Sequence, residues 1–214
     1  MTPEAHAHLS KHCKVMRRLI RIHGPCGLVP EMKRSPFESL VTAVAHQQLN
    51  GTAAGKILGR FRALFPRKRF STARQLADVT DDELRACGFS RAKIAALRDI
   101  AAKTLDGTVP TSRAIRAMPD QEIIERLVQV RGVGRWTAEM LLIFKLGRPD
   151  VLPIDDFGVR NGCRIAFGLA EMPKPTELLA LAESWRPHAT TAAWYLWRAA
   201  DAAKGKRQLK GVNA

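Results

Sequence analysis

The chain has 214 residues, and 46% of them are hydrophobic, a proportion typical of globular proteins with a packed core. No run of about 18 apolar residues occurs, which excludes a membrane-spanning helix. The first residues lack the basic start and apolar stretch of a secretory signal.

The charge balance is strongly basic. The 35 lysines and arginines outnumber the 20 aspartates and glutamates, which gives a formal net charge of +15. Such an excess attracts polyanions, so nucleic acid is the first candidate partner. An anionic membrane surface is less favoured, because no basic amphipathic helix stands apart from the rest. A merely basic protein with no polyanionic partner is the remaining alternative.

The cysteines and histidines form no recognisable metal motif. No C-x-x-C pair occurs, and the spacing fits neither a zinc finger nor an iron–sulfur cluster. We therefore expect no metal site and thiols that are small buried side chains. For the histidines at positions 6, 8 and 12, a frayed polar terminus is favoured over metal binding. The cysteines are Cys13, Cys26, Cys87 and Cys163.

Helical periodicity recurs along the chain, whereas sustained alternation of polar and β-branched residues is absent. The sequence therefore predicts an all-α fold of short helices with short connections. The second predicted segment is expected to be two helices, separated near Asn50-Gly51. The predicted helices cover about residues 6–24, 36–65, 72–77, 80–87, 90–106, 111–117, 120–128, 134–146, 156–167, 174–184 and 187–203.

Several helix boundaries have local signals. Thr80 precedes Glu83 by three residues, the spacing of a capping box, and Ser90 stands where an N-cap is expected. Glycines favour the left-handed conformation that ends many helices. They stand at four predicted helix ends, at Gly24, Gly88, Gly107 and Gly147.

A glycine hairpin, Val130-Arg131-Gly132-Val133-Gly134, joins two of the predicted helices. Two glycines allow positive φ and close approach of another backbone. The following helix begins with N–H groups that have no partner within it, and such a helix start binds phosphate. A plain helix end is the alternative, which the longer pattern Leu127-x-x-Val130-x-Gly132-Val133-Gly134-x-x-Thr137-Ala138 makes less favoured. The candidate phosphate contacts are Gly132, Val133, Gly134, Arg131 and Arg135, with Lys56 and Arg91 as further candidates.

An acidic pair, Asp155-Asp156, follows Pro153, and Asp156 lies twenty residues beyond Trp136. The pair opens a predicted helix, whose first N–H groups favour a charged carboxylate. A carboxylate of this kind is suited to acid–base or electrostatic catalysis. The alternative is that both aspartates only cap the helix.

Four segments together resemble the helix-hairpin-helix DNA glycosylase superfamily. In that superfamily, as here, an aspartate follows the hairpin. The segment 37–50, which ends in Gln47-Gln48-Leu49-Asn50, resembles the early helix and turn of the superfamily, and Leu84-x-x-Cys87-Gly88-Phe89-Ser90-x-x-Lys93 resembles its middle. Trp194-Tyr195-Leu196-Trp197-Arg198 resembles the closing helix of the 3-methyladenine DNA glycosylase II branch.

The resemblance covers about residues 36–203 and implies a two-lobed all-α fold with the active-site cleft between the lobes. Residues 1–35 would be an N-terminal helical extension, residues 36–203 the glycosylase core, and residues 204–214 a basic flexible tail. The implied activity is base excision repair. The enzyme would flip an alkylated purine of the 3-methyladenine or 7-methylguanine type out of DNA and hydrolyse its N-glycosidic bond.

The resemblance assigns the catalytic carboxylate to Asp156, which would stabilise positive charge on the sugar. Asp155 would cap the helix or tune its neighbour. Family members that also cleave the DNA backbone have a lysine where this chain has Trp136. Since an indole cannot form a Schiff base, we predict a monofunctional enzyme that leaves an abasic site.

Aromatic side chains are expected to hold the flipped base, because an alkylated purine is cationic and electron-rich rings bind a flat cation. Trp136 and Trp197 match the family's pocket residues, Met140 would face the same cavity one turn beyond Trp136, and Phe37 is a candidate further wall, as is Phe89. Core packing is the alternative for each. It is the favoured interpretation for the two remaining tryptophans, Trp185 and Trp194.

The turn after residue 47 resembles the wedge loop of the family. A side chain inserted into the base stack offsets part of the cost of base flipping. Leu49 and Asn50 are the candidates for this insertion. For Leu49, burial in the core is the alternative.

Two other functions stay open at this stage. One is a glycosylase for mismatched or deaminated bases, and the other is a non-catalytic DNA-binding module that keeps the hairpin. The expected partner is double-stranded DNA containing alkylated bases. We expect the protein to act as a monomer and not to associate with a membrane. The resemblance implies no cofactor, except for a monovalent cation that hairpin carbonyls would hold. The expected location is intracellular and not secreted. It would be the cytoplasm of a bacterium, in association with the nucleoid, or a nucleus.

Overall fold

The computed structural model describes residues 2–66 and 70–212, with side chains described up to residue 204. These residues form α-helices without strands, which confirms the predicted all-α class. No helix among them is long and apolar enough to cross a membrane. The α-helices are α1 (Pro3–His12), α2 (Lys14–His23), α3 (Pro36–His46), α4 (Gly51–Ala63), α5 (Ala73–Asp78), α6 (Asp81–Ala86), α7 (Arg91–Leu105), α8 (Ala114–Ala117), α9 (Asp120–Leu127), α10 (Arg135–Leu141), α11 (Phe157–Phe167), α12 (Pro175–Ala182) and α13 (Ala189–Val212).

The chain forms two compact units. The first unit comprises Met1–Pro30 and Leu142–Ala214, and the second comprises Glu31–Leu141. The segment expected to be an N-terminal extension thus contributes its first thirty residues to a unit with the C-terminal third of the chain. Helix α13 continues through Val212, so the backbone of the tail expected over 204–214 is helical up to that residue, while its side chains beyond residue 204 and residues 213–214 lie outside the described part.

The N-terminal region differs from the sequence prediction in two ways. The helix predicted over residues 6–24 is two helices, because Cys13 has an extended backbone (φ −142°, ψ 113°) between α1 and α2. The terminus is also not frayed. The ring of His6 accepts a hydrogen bond from the backbone N–H of Cys26 at 3.2 Å and lies 3.1 Å from the hydroxyl of Tyr195. These contacts fix α1 to the rest of the first unit.

The core of the first unit surrounds α13. Trp185 and Tyr195 are fully buried, so the core assignment of Trp185 is confirmed. Helices α11 and α13 approach each other at Gly162, where an added Cβ would lie 2.0 Å from the carbonyl oxygen of Leu196. Only a glycine permits this backbone separation. The contact holds the start of α11 in a fixed position relative to the indole of Trp197, one residue further along α13.

The second unit packs α3, α4 and α7 around apolar side chains that include Leu40, Phe61 and Leu97. Its helix starts agree with the sequence signals. Thr80 and Glu83 form the predicted capping box, and the hydroxyl of Ser90 accepts from the N–H of Lys93. The predicted separation near Asn50-Gly51 is confirmed, since α3 ends at His46 and α4 begins at Gly51.

The four cysteines are free thiols, and the expected burial is found for two of them. Cys87 and Cys163 are buried, whereas Cys13 and Cys26 are half-buried. Burial raises the pKa of the Cys163 thiol to about 11. This thiol therefore stays protonated near neutral pH and behaves as a small apolar side chain.

The close contact at Gly162 predicts a strong effect of one methyl group. Gly162→Ala is expected to lower the free energy of unfolding by about 3 kcal/mol, at the upper end for overpacked sites, because the neighbouring atom is backbone and cannot rotate away. Urea unfolding followed by circular dichroism measures this change. Gly59→Ala in α4 is the control, because an added Cβ there meets no atom within 4 Å and alanine favours helix. A Gly162→Ala variant as stable as the parent would contradict the packing described.

Candidate active site

The glycine hairpin joins α9 and α10 in the second unit. Gly132 has φ +78°, and the N–H of Val133 donates to the carbonyl of Val130 at 3.0 Å. The N–H of Arg131 donates to Oδ2 of Asp99 at 2.7 Å, which fixes the hairpin to α7. Of the two hairpin glycines, Gly132 uses the positive φ that glycine allows, whereas Gly134 does not.

The glycine at position 134 is explained by access to its backbone. An added Cβ there would meet no protein atom within 4 Å, and both hairpin glycines are exposed. The chain itself therefore tolerates a side chain at Gly134, while a ligand that approaches the backbone would not. Helix α10 begins directly afterwards at Arg135, and its first N–H groups are donors for an anion.

The two hairpin arginines differ in their freedom. Arg131 is exposed at the outer side of the hairpin. Nε of Arg135 is 2.9 Å from Oε1 of Glu139, a carboxylate that is almost fully buried. Arg135 is thus held in one direction by a partner within α10. The predicted phosphate contact by Arg135 would have to be made by the exposed edge of a paired guanidinium.

A cavity of about 700 Å³ lies beside the hairpin within the second unit. Its wall contains Trp136 and Met140 together with residues of the turn that follows α3. The indole of Trp136 is 46% exposed, which is unusual for so large an apolar ring. The structure therefore places the two residues that sequence reasoning paired in the wall of one cavity.

Lys93 lines the same cavity and was not singled out as a site residue from the sequence. Its Nζ donates to the carbonyl oxygen of Ala45 at 2.9 Å, close to the end of α3. Burial lowers the pKa of this amine. Lys93 belongs to the family-like segment that ends at this residue, but nothing in that pattern indicated that its amine would reach the cavity.

The candidate wedge residues lie in the turn between α3 and α4. Leu49 is 39% exposed, so burial in the core is excluded. The side chain of Asn50 caps α4 by accepting from the N–H of Ala53 at 2.8 Å. Phe37, in contrast, is only 6% exposed and its ring lies edge-on to Phe70, so its predicted contact with a base rests on the resemblance alone.

Asp156 is the N-cap of α11 in the first unit. Its Oδ1 accepts from the backbone N–H of Val159 at 2.7 Å and from Nε1 of Trp197 at 2.8 Å. Asp155 is exposed and does not cap the helix, so that part of its expected role was wrong. The structure thus distinguishes the two aspartates, since only Asp156 is held by an indole and a helix start.

Trp197 is fixed on two sides. Its ring stacks on Phe144 with a centroid distance of 5.5 Å and an interplanar angle of 26°. A Cβ at Gly158 would lie 2.8 Å from Cδ1 of Trp197 and 3.1 Å from Oδ1 of Asp156, so glycine is required for the indole to reach the carboxylate. Trp194, in contrast, is half-buried and lies against Tyr195, in agreement with a core role.

Two contributors to this arrangement were missed in the sequence. Phe144 lies in a π-helical turn, Leu142–Leu146, where a regular α-helix was predicted. π-Helical turns are frequent at functional sites, and this one leaves Phe144 41% exposed beside Trp197. Gly158 was a second missed residue, because a glycine within a helix does not by itself indicate close packing, as Gly55 and Gly59 of α4 have open space where a Cβ would lie.

The hairpin carbonyl oxygens are suited to bind the monovalent cation that the resemblance implies. The carbonyls of Val130 and Gly132 each accept one hydrogen bond within the protein. Each carbonyl oxygen has a second lone pair, so these oxygens have the donor chemistry that such an ion requires. The cation stays a prediction.

Comparisons with known proteins identify the family of the chain. The family model described as "HhH-GPD superfamily base excision DNA repair protein" matches residues 41–187. DNA-3-methyladenine glycosylase 1 of Schizosaccharomyces pombe is 41% identical over 196 residues, which cover 91% of this chain and 86% of the relative. The alkylbase DNA glycosidase-like protein of the same organism is 34% identical over 195 residues, covering 91% and 92%.

Two solved structures are also similar. A 3-methyladenine DNA glycosylase of S. pombe in complex with abasic DNA has a TM-score of 0.82 at 41% identity, covering 91% of this chain and 95% of that one. A DNA-3-methyladenine glycosidase from Bacillus halodurans has a TM-score of 0.83 at 33% identity, covering 93% and 89%. The resemblance seen in the sequence is therefore confirmed, and the chain belongs to the HhH-GPD superfamily of base excision DNA repair proteins.

Proposed function

We propose that this protein is a DNA glycosylase that removes alkylated purines, of the 3-methyladenine and 7-methylguanine type, and leaves an abasic site. The observation on which the proposal chiefly depends is the carboxylate of Asp156, fixed by two N–H donors at 2.7 and 2.8 Å. The names of its relatives support the substrate class, since both similar structures are of 3-methyladenine glycosylases or glycosidases.

The chemistry follows from the charge that develops during hydrolysis. As the N-glycosidic bond breaks, the deoxyribose gains oxocarbenium character, and a nearby carboxylate stabilises it. The same group can orient the attacking water or accept its proton. Asp156 is suited to this role because both hydrogen bonds converge on Oδ1 and fix the direction of the carboxyl group.

The base would be recognised mainly by stacking. Alkylation of a ring nitrogen makes a purine cationic and weakens its glycosidic bond, so an aromatic surface that favours flat cations selects such bases. Trp136, with Met140 beside it in the same cavity, offers a surface of this kind in the second unit. Trp197 offers a second aromatic face in the first unit. Phe37, a buried residue of the second unit, is a further candidate on the resemblance alone.

Affinity for DNA would come from the hairpin and from the net positive charge of the protein. Phosphate would bind at the hairpin residues Gly132, Val133 and Gly134, of which the two glycines are exposed and Val133 is buried, with Arg131 and Arg135 beside them. The formal net charge of +15 adds non-specific attraction that weakens with salt. We propose that the protein acts on double-stranded DNA inside the cell as a monomer.

The proposed role of Asp156 predicts the effect of one isosteric change. Asp156→Asn keeps an oxygen that accepts from Val159 and Trp197 but removes the charge, so excision is expected to fall about 100-fold or more. Single-turnover release of bases from randomly methylated DNA, with the bases identified by mass, measures both the rate and the substrate class.

Asp155→Asn is the control for that experiment, because it removes an adjacent exposed charge. Affinity for a duplex with an abasic analogue should change less than about threefold in either variant. Undiminished excision by Asp156→Asn would refute the assignment. Release of deaminated bases in preference to alkylated purines would refute the substrate class, and DNA binding without any release by the parent protein would favour a non-catalytic module.

The proposed absence of lyase activity gives a second prediction. A Schiff base with the abasic sugar requires a neutral amine, and the indole of Trp136 supplies none. Lys93 lines the same cavity with a lowered amine pKa, but its Nζ is bound to the carbonyl of Ala45. Borohydride reduction on abasic DNA should therefore trap no covalent complex. A trapped complex that is lost in Lys93→Arg would show instead that this amine reaches the sugar.

A further inference from the structure

Gln47 connects two segments that are 85 residues apart in the sequence. It is the C-cap of α3, and its Nε2 donates to the carbonyl oxygen of Gly132 at 2.9 Å. The acceptor is the hairpin residue with positive φ, and its backbone lies close to α7, since an added Cβ would be 3.2 Å from the Cβ of Ala96. The bond from the N–H of Arg131 to Asp99 fixes the hairpin to the same helix. The hydrogen bond thus joins the turn after α3 to a hairpin whose own position is fixed.

The turn beyond Gln47 has an uncommon backbone. Gln48 has φ +56°. Among the described residues other than glycine, it alone has a positive φ. A glutamine in this conformation costs about 1 kcal/mol or more, so the surrounding contacts must hold it there. Backbone strain of this kind is found mainly at functional sites, so it favours a functional role for the turn.

The contacts that hold the turn lie at its two ends. On one side, the hydrogen bond of Gln47 fixes it to the hairpin. On the other, Asn50 caps α4, and the N–H of Leu49 donates to the carbonyl of His46 at 3.1 Å. Between these points Gln48 and Leu49 are exposed. The turn is therefore clamped where it enters and leaves, and it presents two side chains outward.

We propose that Gln47 is a positioning residue that couples the phosphate-binding hairpin to the wedge turn. In this proposal, which rests on the proposed glycosylase function, the amide of Gln47 makes hairpin and turn a single rigid platform. A DNA backbone seated on Gly132 and Gly134 then fixes where Leu49 meets the base stack. Gln47 itself need not touch the DNA, because it acts through Gly132 and Leu49.

The test compares Gln47→Met, which keeps the length of the side chain but removes the donor, with Gln129→Met. Gln129 donates from the same amide group to the carbonyl of Glu125 at 3.1 Å in the same unit, so the control loses an equivalent hydrogen bond. Loss of one such bond is expected to weaken binding of a duplex with a tetrahydrofuran abasic analogue about five- to tenfold. Binding of undamaged duplex, which needs no wedge, should stay within twofold.

A double-mutant cycle with Leu49→Ala separates coupling from general damage. If Gln47 acts through the wedge, the pair Gln47→Met and Leu49→Ala should bind the abasic duplex no worse than Leu49→Ala alone. Additive losses, or equal losses for undamaged duplex, would overturn the proposal. Gln47→Glu, an isosteric change that places oxygen against the carbonyl of Gly132, should reproduce the effect even if Gln47→Met folds poorly. Because these measurements need no base release, they can fail or succeed independently of the glycosylase function.

Discussion

The hydrogen bond from the indole of Trp197 to Oδ1 of Asp156 is the interaction on which the chemistry of the first unit depends. Three features of the sequence make it possible. Gly158 leaves room for the indole, Phe144 supports its face, and Gly162 lets the helices that bear the two partners approach closely. Each of these features would be unremarkable alone, and together they fix the direction of one carboxyl group.

In the second unit, hydrogen bonds from neighbouring helices likewise fix the backbone of the hairpin in one position. Asp99 accepts from the N–H of Arg131, and Gln47 donates to the carbonyl of Gly132, so the hairpin is held from two sides. Fixed donors need no reorganisation when an anion binds, which is the advantage of a preorganised site. The exposed indole of Trp136 belongs to the second residue of α10, directly after the hairpin, so its position is set by the same restraints.

The sequence was sufficient for features that depend on local chemistry. Capping residues such as Thr80 and Ser90 predicted helix starts, because a side chain that caps an N-terminus acts within four residues. It was insufficient where distant residues decide the outcome. The bond from Gln47 to Gly132 joins residues that are 85 apart in the chain, and Phe144 of the π-helical turn stacks on Trp197 of α13. The resemblance assigned the catalytic role to Asp156, but only the structure shows that Asp156 caps α11 and also accepts from Trp197.

The most direct test of the account is the single-turnover rate of base release by Trp197→Phe, which keeps an aromatic face against Phe144 but removes the N–H that aims Asp156. The account predicts a rate about tenfold lower than that of the parent protein. Affinity for an abasic duplex should be unchanged, and the conservative variant Trp197→His, which retains a ring N–H, should recover part of the rate. A Trp197→Phe variant that releases methylated purines as fast as the parent would contradict the account.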